Sequence, residues 1–229
     1  LNGINCDEWN PATDKFLAAN YSADTVAKGK PVCKAALQKE FGLPERPDAP
    51  LVGVVGRIAH QKGFDLIEEV SEQLMEMDIQ MILLGTGDPK YHRLFEKLTK
   101  KYPEKLSVNL RFDNKLAHLI EAGADIFLMP SQFEPCGLNQ MYSLKYGTVP
   151  IVRETGGLAD SVEQVSPSAG TGTGVLLLML EDLHHADPAT RKLIEIDKTG
   201  TSHYLSSKQI EAMPLDQLVD MIALQPGVA

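Results

Sequence analysis

Arg57 and Lys62 lie in GRIAHQKG (56–63), directly after the apolar run PLVGVVG (50–56). Two cations on one strand-to-helix turn suit a diphosphate, with Arg offering a planar fork and Lys a point charge. The same spacing serves a pair of solvated surface cations equally well. GTGD (85–88) follows a second apolar run. Gly85 and Thr86 are small enough to let a nucleotide approach the backbone, and a following helix favours anions. Such a stretch taken alone is more often a tight turn. It is not a dinucleotide fingerprint, because Lys90 stands where the third glycine of G-x-G-x-x-G belongs, which argues against a nicotinamide-dependent oxidoreductase. Phe112, in RFD (111–113), either stacks on a nucleobase at a strand's exit or closes the end of the core.

The fourth stretch is FEPCGLNQMY (133–142) with its continuation RETGGLADSV (153–162). Each places glycines ahead of a helix, so free amides and a positive dipole end converge where negative charge could sit. Glu134 is an acceptor among these donors, which suits polyol hydroxyls; a cap on the following helix is the structural alternative. Cys136 reads best as a small filler rather than a nucleophile. His184 and His185 are adjacent, wrong for two ligands on one helix face, and no Cys or carboxylate cluster completes a metal site. His118 reads as structural. Neither Gly-x-Ser-x-Gly nor a Walker loop occurs.

These stretches require strands that end on a common edge. From residue 50 the apolar pattern alternates between short buried runs and helical periodicity. Strands are expected at 50–56, 79–85, 106–112, 125–130 and 148–152, and 175–180 is either a last strand or the start of a helix. Helices are expected between them, one with Leu66, Ile67, Val70, Leu74 and Met77 on its buried face. This alternation predicts an α/β fold, a Rossmann-like parallel sheet with helices on both faces, whose ligands sit at the carboxyl ends of the strands. Residues 1–48 read as a linker and lead-in segment with a short helix near 33–41, and 49–180 as the Rossmann-like domain. The stretch 166–174 reads as a mobile loop, and 181–229 as an atypical helical or partly disordered tail.

A net charge of −9, without a block of Lys and Arg, disfavours nucleic acid and anionic membranes as partners. No run reaches the roughly 18 apolar residues of a membrane span. Cys6, Cys33 and Cys136 are scattered and odd in number, which points to a reducing compartment. The chain starts at Leu1 without a Met and reads as a piece of a longer one.

Read together, these pieces resemble the carboxyl-terminal half of the bacterial glycogen synthase and plant starch synthase family. The resemblance rests on LNGIN, EWNPATDKFL, NYSA, PLVGVVGRIAHQKGFDLI, LLGTGDP, the long LAHLIEAGADIFLMPSQFEPCGLNQMYSLKYGTVPIVRETGGLADSV, and GTG, and covers roughly residues 1–176. It implies one half of a GT-B glycosyltransferase, in which two Rossmann-like domains face each other across a cleft. It also implies retaining transfer of glucose, usually from ADP-glucose, to the 4-OH end of an α-1,4-glucan, with no cofactor or metal. By this resemblance Arg57 and Lys62 hold the diphosphate, Phe112 stacks on adenine, and Gly85 and Thr86 lie near the nucleotide. Glu134 takes the glucose hydroxyls, helped by backbone groups of Cys136, Gly137 and Leu138, while Thr155, Gly156 and Gly157 sit at the phosphates. Position 142, eight residues after Glu134, is Tyr rather than a second Glu, which argues against sucrose-synthase-like relatives.

Several positions depart from the family pattern: Asn5 for Asp, Leu119 and Gln132 for Arg, and Glu154 for a basic residue. The resemblance further implies an amino-terminal domain, carrying a Lys-x-Gly-Gly loop and the acceptor site, that this sequence lacks. It places the protein in the cytoplasm, or in a plastid if the source is a plant or alga. A non-catalytic nucleotide- or glucan-binding regulatory module is the alternative expectation.

Overall fold

The computed structural model describes residues 2–166 and 171–177. Six parallel strands, β1 (Leu51–Val55), β2 (Gln80–Leu84), β3 (Leu106–Asn109), β4 (Ile126–Met129), β5 (Val149–Arg153) and β6 (Val175–Leu177), form one sheet. Their order is β3-β2-β1-β4-β5-β6. Helices α1 (Val26–Glu40), α2 (Phe64–Glu76), α3 (Pro89–Lys101), α4 (Asn114–Gly123), α5 (Asn139–Tyr146) and α6 (Gly156–Ser161) complete the domain, with a 3-10 turn at His60–Lys62.

The alternation of side chains along each strand explains why both faces are covered. Val52 and Val54 of β1, with Met81 and Leu83 of β2, join Phe64, Ile67, Tyr91 and Phe95 in one core cluster. Leu51, Ile82 and Leu84 point the other way, into a second cluster with Leu37, Leu116, Ile120 and Leu158. A strand apolar at both parities needs a layer of helices on each side. The order reverses between β1 and β4, so their carboxyl ends open a crevice of the kind that binds ligands in such sheets.

Several elements differ from the sequence expectation for identifiable reasons. Helix α1 begins at Val26, seven residues before its expected start, and contains Gly29 and Pro31. Tertiary contacts hold this first half: a Cβ at Gly29 would lie 2.5 Å from the Tyr21 side chain. Lys30 Nζ also donates to the carbonyl of Ala122 at 3.0 Å and to Thr148 Oγ1 at 2.6 Å. Strand β3 stops at Asn109, short of Phe112. On α2 the buried face runs through Phe64, Ile67, Ser71 and Met75, leaving Leu66 and Val70 only half-buried. Val175–Leu177 form the edge strand β6 beside β5, which settles the strand reading for those residues. Residues 171 and 174 pair back onto 163–166, whereas 167–170 and the expected tail at 181–229 lie outside the described residues.

The lead-in segment packs on α4 and α5. The Trp9 ring is sandwiched between His118 and Tyr142, with centroids 3.7 Å away on each side. His118 is structural, as its position on a helix suggested: it is buried and pairs through Nδ1 with Asp14 Oδ2 at 2.7 Å. Nearby, Glu121 of α4 is buried and accepts a hydrogen bond from Ser143 Oγ at 2.7 Å.

Burial pushes the Glu121 carboxyl up to about 8 and the Lys30 ammonium down to about 8. Between the unfolded carboxylate value of about 4.3 and the folded value, the native state keeps a proton that the unfolded chain has released. Glu121 therefore costs stability as pH rises across that window. Lys30 acts in the opposite direction, and only above its lowered value, where the unfolded chain still holds the proton. Glu121→Gln is expected to raise stability by about 1–3 kcal/mol at pH 8 and by little at pH 5. Urea unfolding at the two pH values checks this, and equal gains at both would refute it.

Candidate functional site

At the switch point the loops leaving β1 and β4 enclose a cavity of about 250 Å³ whose walls include Arg57, Lys62, Ser131, Glu134, Gly137 and Asn139. Arg57 follows β1 directly, and the 3-10 turn His60–Lys62 brings Lys62 back to the same opening. Glu134 comes from the irregular segment between β4 and α5. Its carboxylate Oε2 accepts from Lys62 Nζ, and Ser131 Oγ lies 3.5 Å from the same oxygen. The Glu134 side chain is 13% exposed and that of Lys62 26%, so the pair is screened from solvent yet open on the cavity side. Leu138, not Glu134, occupies the cap position of α5, which removes the capping alternative for Glu134.

Gln61, not singled out by its sequence context, ties these groups together. Its Oε1 accepts from Arg57 Nη2 at 2.8 Å, and its Nε2 donates to the Phe133 carbonyl at 3.3 Å. Its own carbonyl accepts the Gln132 amide at 2.9 Å. Asn139 donates through Nδ2 to the Val55 carbonyl at 2.9 Å, fixing the start of α5 to the end of β1. Gln132 donates to Asp65 Oδ2 at 3.1 Å, while Asp65 Oδ1 is buried without a partner. The arrangement thus offers two cations, a partly shielded carboxylate and a ring of fixed backbone groups within one crevice.

Arg57, Lys62, Glu134, Gly137 and Leu138 line this cavity together. The remaining sequence candidates sit elsewhere on the same edge. Gly85 is buried, and a Cβ there would lie 1.9 Å from the Gly56 carbonyl oxygen, so the absent side chain admits the protein's own backbone. Thr86 is exposed, its carbonyl accepting the Ile58 amide at 3.0 Å. Phe112 is 87% exposed beyond the end of β3, which excludes the core-closing alternative. The acidic residues of GTGD and RFD cap helices: Asp88 accepts from the Lys90 amide and Asp113 from the Leu116 amide.

The expectation of two sets of free amides needs correction at the second turn. The Gly157 amide donates to the Glu134 carbonyl at 2.9 Å, and the Thr155 amide to the Arg153 carbonyl at 2.9 Å. Gly156 and Gly157 therefore press against 134–136. Cys136 is half-buried rather than a buried filler, and its Sγ accepts the Asn2 amide at 3.1 Å. No group of three or more His, Cys, Asp or Glu among the described residues could hold a metal ion. None of the described helices is long and apolar enough to cross a membrane.

Residues 37–176 match the family model for glycosyl transferases group 1. A glycogen synthase of Anaeromyxobacter sp. (strain Fw109-5) is 55% identical over 173 residues, which is 75% of this chain and 36% of that protein. The chain thus spans about a third of the length of that curated relative. The structure also resembles the catalytic domain of starch synthase IV from Arabidopsis thaliana bound to ADP and acarbose. That match has a TM-score of 0.72 at 33% identity and covers 97% of this chain and 48% of the other. The C-terminal domain of the group 1 glycosyl transferase LpcC from Francisella tularensis shares the fold at 16% identity, with a TM-score of 0.56 over 99% of this chain and 95% of its own.

Proposed function

Since the chain belongs to the group 1 glycosyl transferases, we propose that it is the donor-binding half of a retaining glucosyltransferase of the glycogen and starch synthase type. It takes glucose from ADP-glucose and passes it to the 4-OH end of an α-1,4-glucan. The observation that carries this reading is the convergence of Arg57, Lys62 and Glu134 on one crevice at the switch point. Arg57 and Lys62 neutralise the diphosphate as the bond to the anomeric carbon breaks and ADP leaves with the bonding electrons. Glu134 accepts hydrogen bonds from the glucose hydroxyls and orients the ring. Phe112, exposed at the exit of β3, offers its face to the adenine, with Gly85 and Thr86 at the nucleotide's edge. Backbone groups of Cys136, Gly137 and Leu138 serve the sugar, and the turn Thr155–Gly157 meets the phosphates through groups other than the Thr155 and Gly157 amides, which are spent within the protein.

Similarity to a glycogen synthase of which the match covers only 36% supports a partner domain forming the opposite wall and seating the glucan. Transfer needs both walls, because the acceptor hydroxyl must meet the anomeric carbon with water excluded. The chain alone is expected to bind ADP or ADP-glucose weakly and to turn over slowly or not at all.

Calorimetric titration with ADP, ADP-glucose, UDP-glucose and NAD tests the reading. Arg57→Ala is expected to weaken ADP about tenfold, the loss of one charge-assisted contact. Glu134→Ala is expected to weaken ADP-glucose far more than ADP. If neither substitution alters any affinity, the site assignment is wrong.

A further inference from the structure

Behind the crevice four hydrogen bonds close a ring between the segment bearing Glu134 and the turn that opens α6. The Gly157 amide donates to the Glu134 carbonyl at 2.9 Å. The Gly157 carbonyl accepts from Ser161 Oγ at 2.5 Å, and Ser161 Oγ in turn accepts from Gln140 Nε2 at 3.0 Å. The second hydrogen of Gln140 Nε2 reaches the Cys136 carbonyl at 2.9 Å. Gln140 is 0% exposed, and both of its amide hydrogens serve this ring. Its Oε1 is buried without a partner and lies 2.4 Å from where a Cβ on Gly137 would stand. A Cβ on Gly157 would likewise lie 2.4 Å from Cys136 Cα. The two turns are therefore interlocked through backbone as well as side chain. A buried amide oxygen left unpaired is tolerated here alongside two donated bonds, which argues that the donors are what this position serves.

We propose that Gln140 and Ser161 are positioning residues that fix the backbone of Glu134 from behind, so that its carboxylate presents one orientation to the donor sugar. This rests on the reading of Glu134 as the sugar-binding carboxylate. Lys62 holds the side chain from the front and the ring holds the main chain from the rear. Neither Gln140 nor Ser161 touches the ligand in this scheme. Their loss blurs the sugar contact while the cations of the diphosphate site stay in place.

Gln140→Met keeps the volume of the side chain and removes both donors, whereas Ser161→Ala removes the hydroxyl with minimal disturbance. Either variant is expected to accelerate amide exchange about tenfold in both 134–138 and 155–158, leaving α3 unchanged. Acceleration confined to the substituted element overturns the ring. In calorimetry either variant is expected to weaken ADP-glucose about tenfold and ADP less than about twofold, with the double variant no worse than the singles. Ser161→Thr, which keeps a hydroxyl, is expected to restore both readouts. Equal weakening of the two ligands reduces the pair to ordinary structural residues and overturns the proposal. If the unaltered chain binds neither nucleotide, the donor-site reading falls, while the exchange result still decides the ring.

Discussion

Gly63→Ala is expected to destabilise the domain by about 2–5 kcal/mol and to abolish nucleotide binding at ordinary ligand concentrations. Gly63 has φ +75° and ends the 3-10 turn that carries Lys62. A Cβ there would sit 2.0 Å from the Pro130 carbonyl oxygen, immediately after β4. The left-handed backbone costs a non-glycine residue about 1–2 kcal/mol, and forcing an atom into a packed contact costs about 1–3 more. The contact cannot be relieved by rotating a side chain, since the neighbour is main chain. Relief requires the turn bearing Lys62 to separate from the segment bearing Glu134, which also strains the bond between the Gln132 amide and the Gln61 carbonyl. Thermal melting and ADP titration read both consequences. A variant with unchanged Tm and affinity would show that this close approach is not needed.

Asp14→Ala carries the second large effect, with an expected loss of about 3–5 kcal/mol. Asp14 is buried, and its Oδ2 accepts from Tyr146 Oη at 2.6 Å while pairing with His118. Its Oδ1 accepts the Phe16 amide at 2.9 Å, which ties the carboxylate to its own turn. Removing it takes the acceptor from two buried groups, Tyr146 Oη and His118 Nδ1, and from the half-buried Phe16 amide, and frees the lead-in segment from α4 and α5. Asp14→Asn keeps a neutral acceptor and is expected to cost less than half as much. The chain has a single tryptophan, Trp9, so its emission reports directly on the sandwich with His118 and Tyr142. A red shift together with a lower urea midpoint is the expected result, and unchanged values of both contradict it.

The two predictions differ in how visible their residues are in the linear chain. Gly63 lies in a stretch already marked by Arg57 and Lys62, yet nothing in GRIAHQKG reveals that Pro130 would lie against it. Asp14 looks like one member of a turn-rich run, and its partners are 104 and 132 residues away. Gln61, Gln140 and Ser161 were equally silent, because a neutral polar side chain carries no periodic or charge signal. Tyr142 stands out in the sequence only for not being a Glu, and its spacing carries no sign of its place against Trp9.

Sequence alone determined the class of fold, because strands that must bury both faces are written as continuous apolar runs, and their alternation with helical periodicity admits few topologies. It also determined the chemical types gathered at the sheet's edge, since Arg57, Lys62 and Glu134 follow strand ends whose place in such a sheet is fixed. Tertiary structure decided which of these groups share a cavity and which glycines serve the protein's own packing rather than a ligand. It alone assigned the Gly157 amide to the Glu134 carbonyl instead of leaving it free. The reason is physical: hydrogen bonds and close contacts between distant segments depend on how loops settle on one another. That arrangement is set by the whole packed domain and leaves no local pattern in the chain.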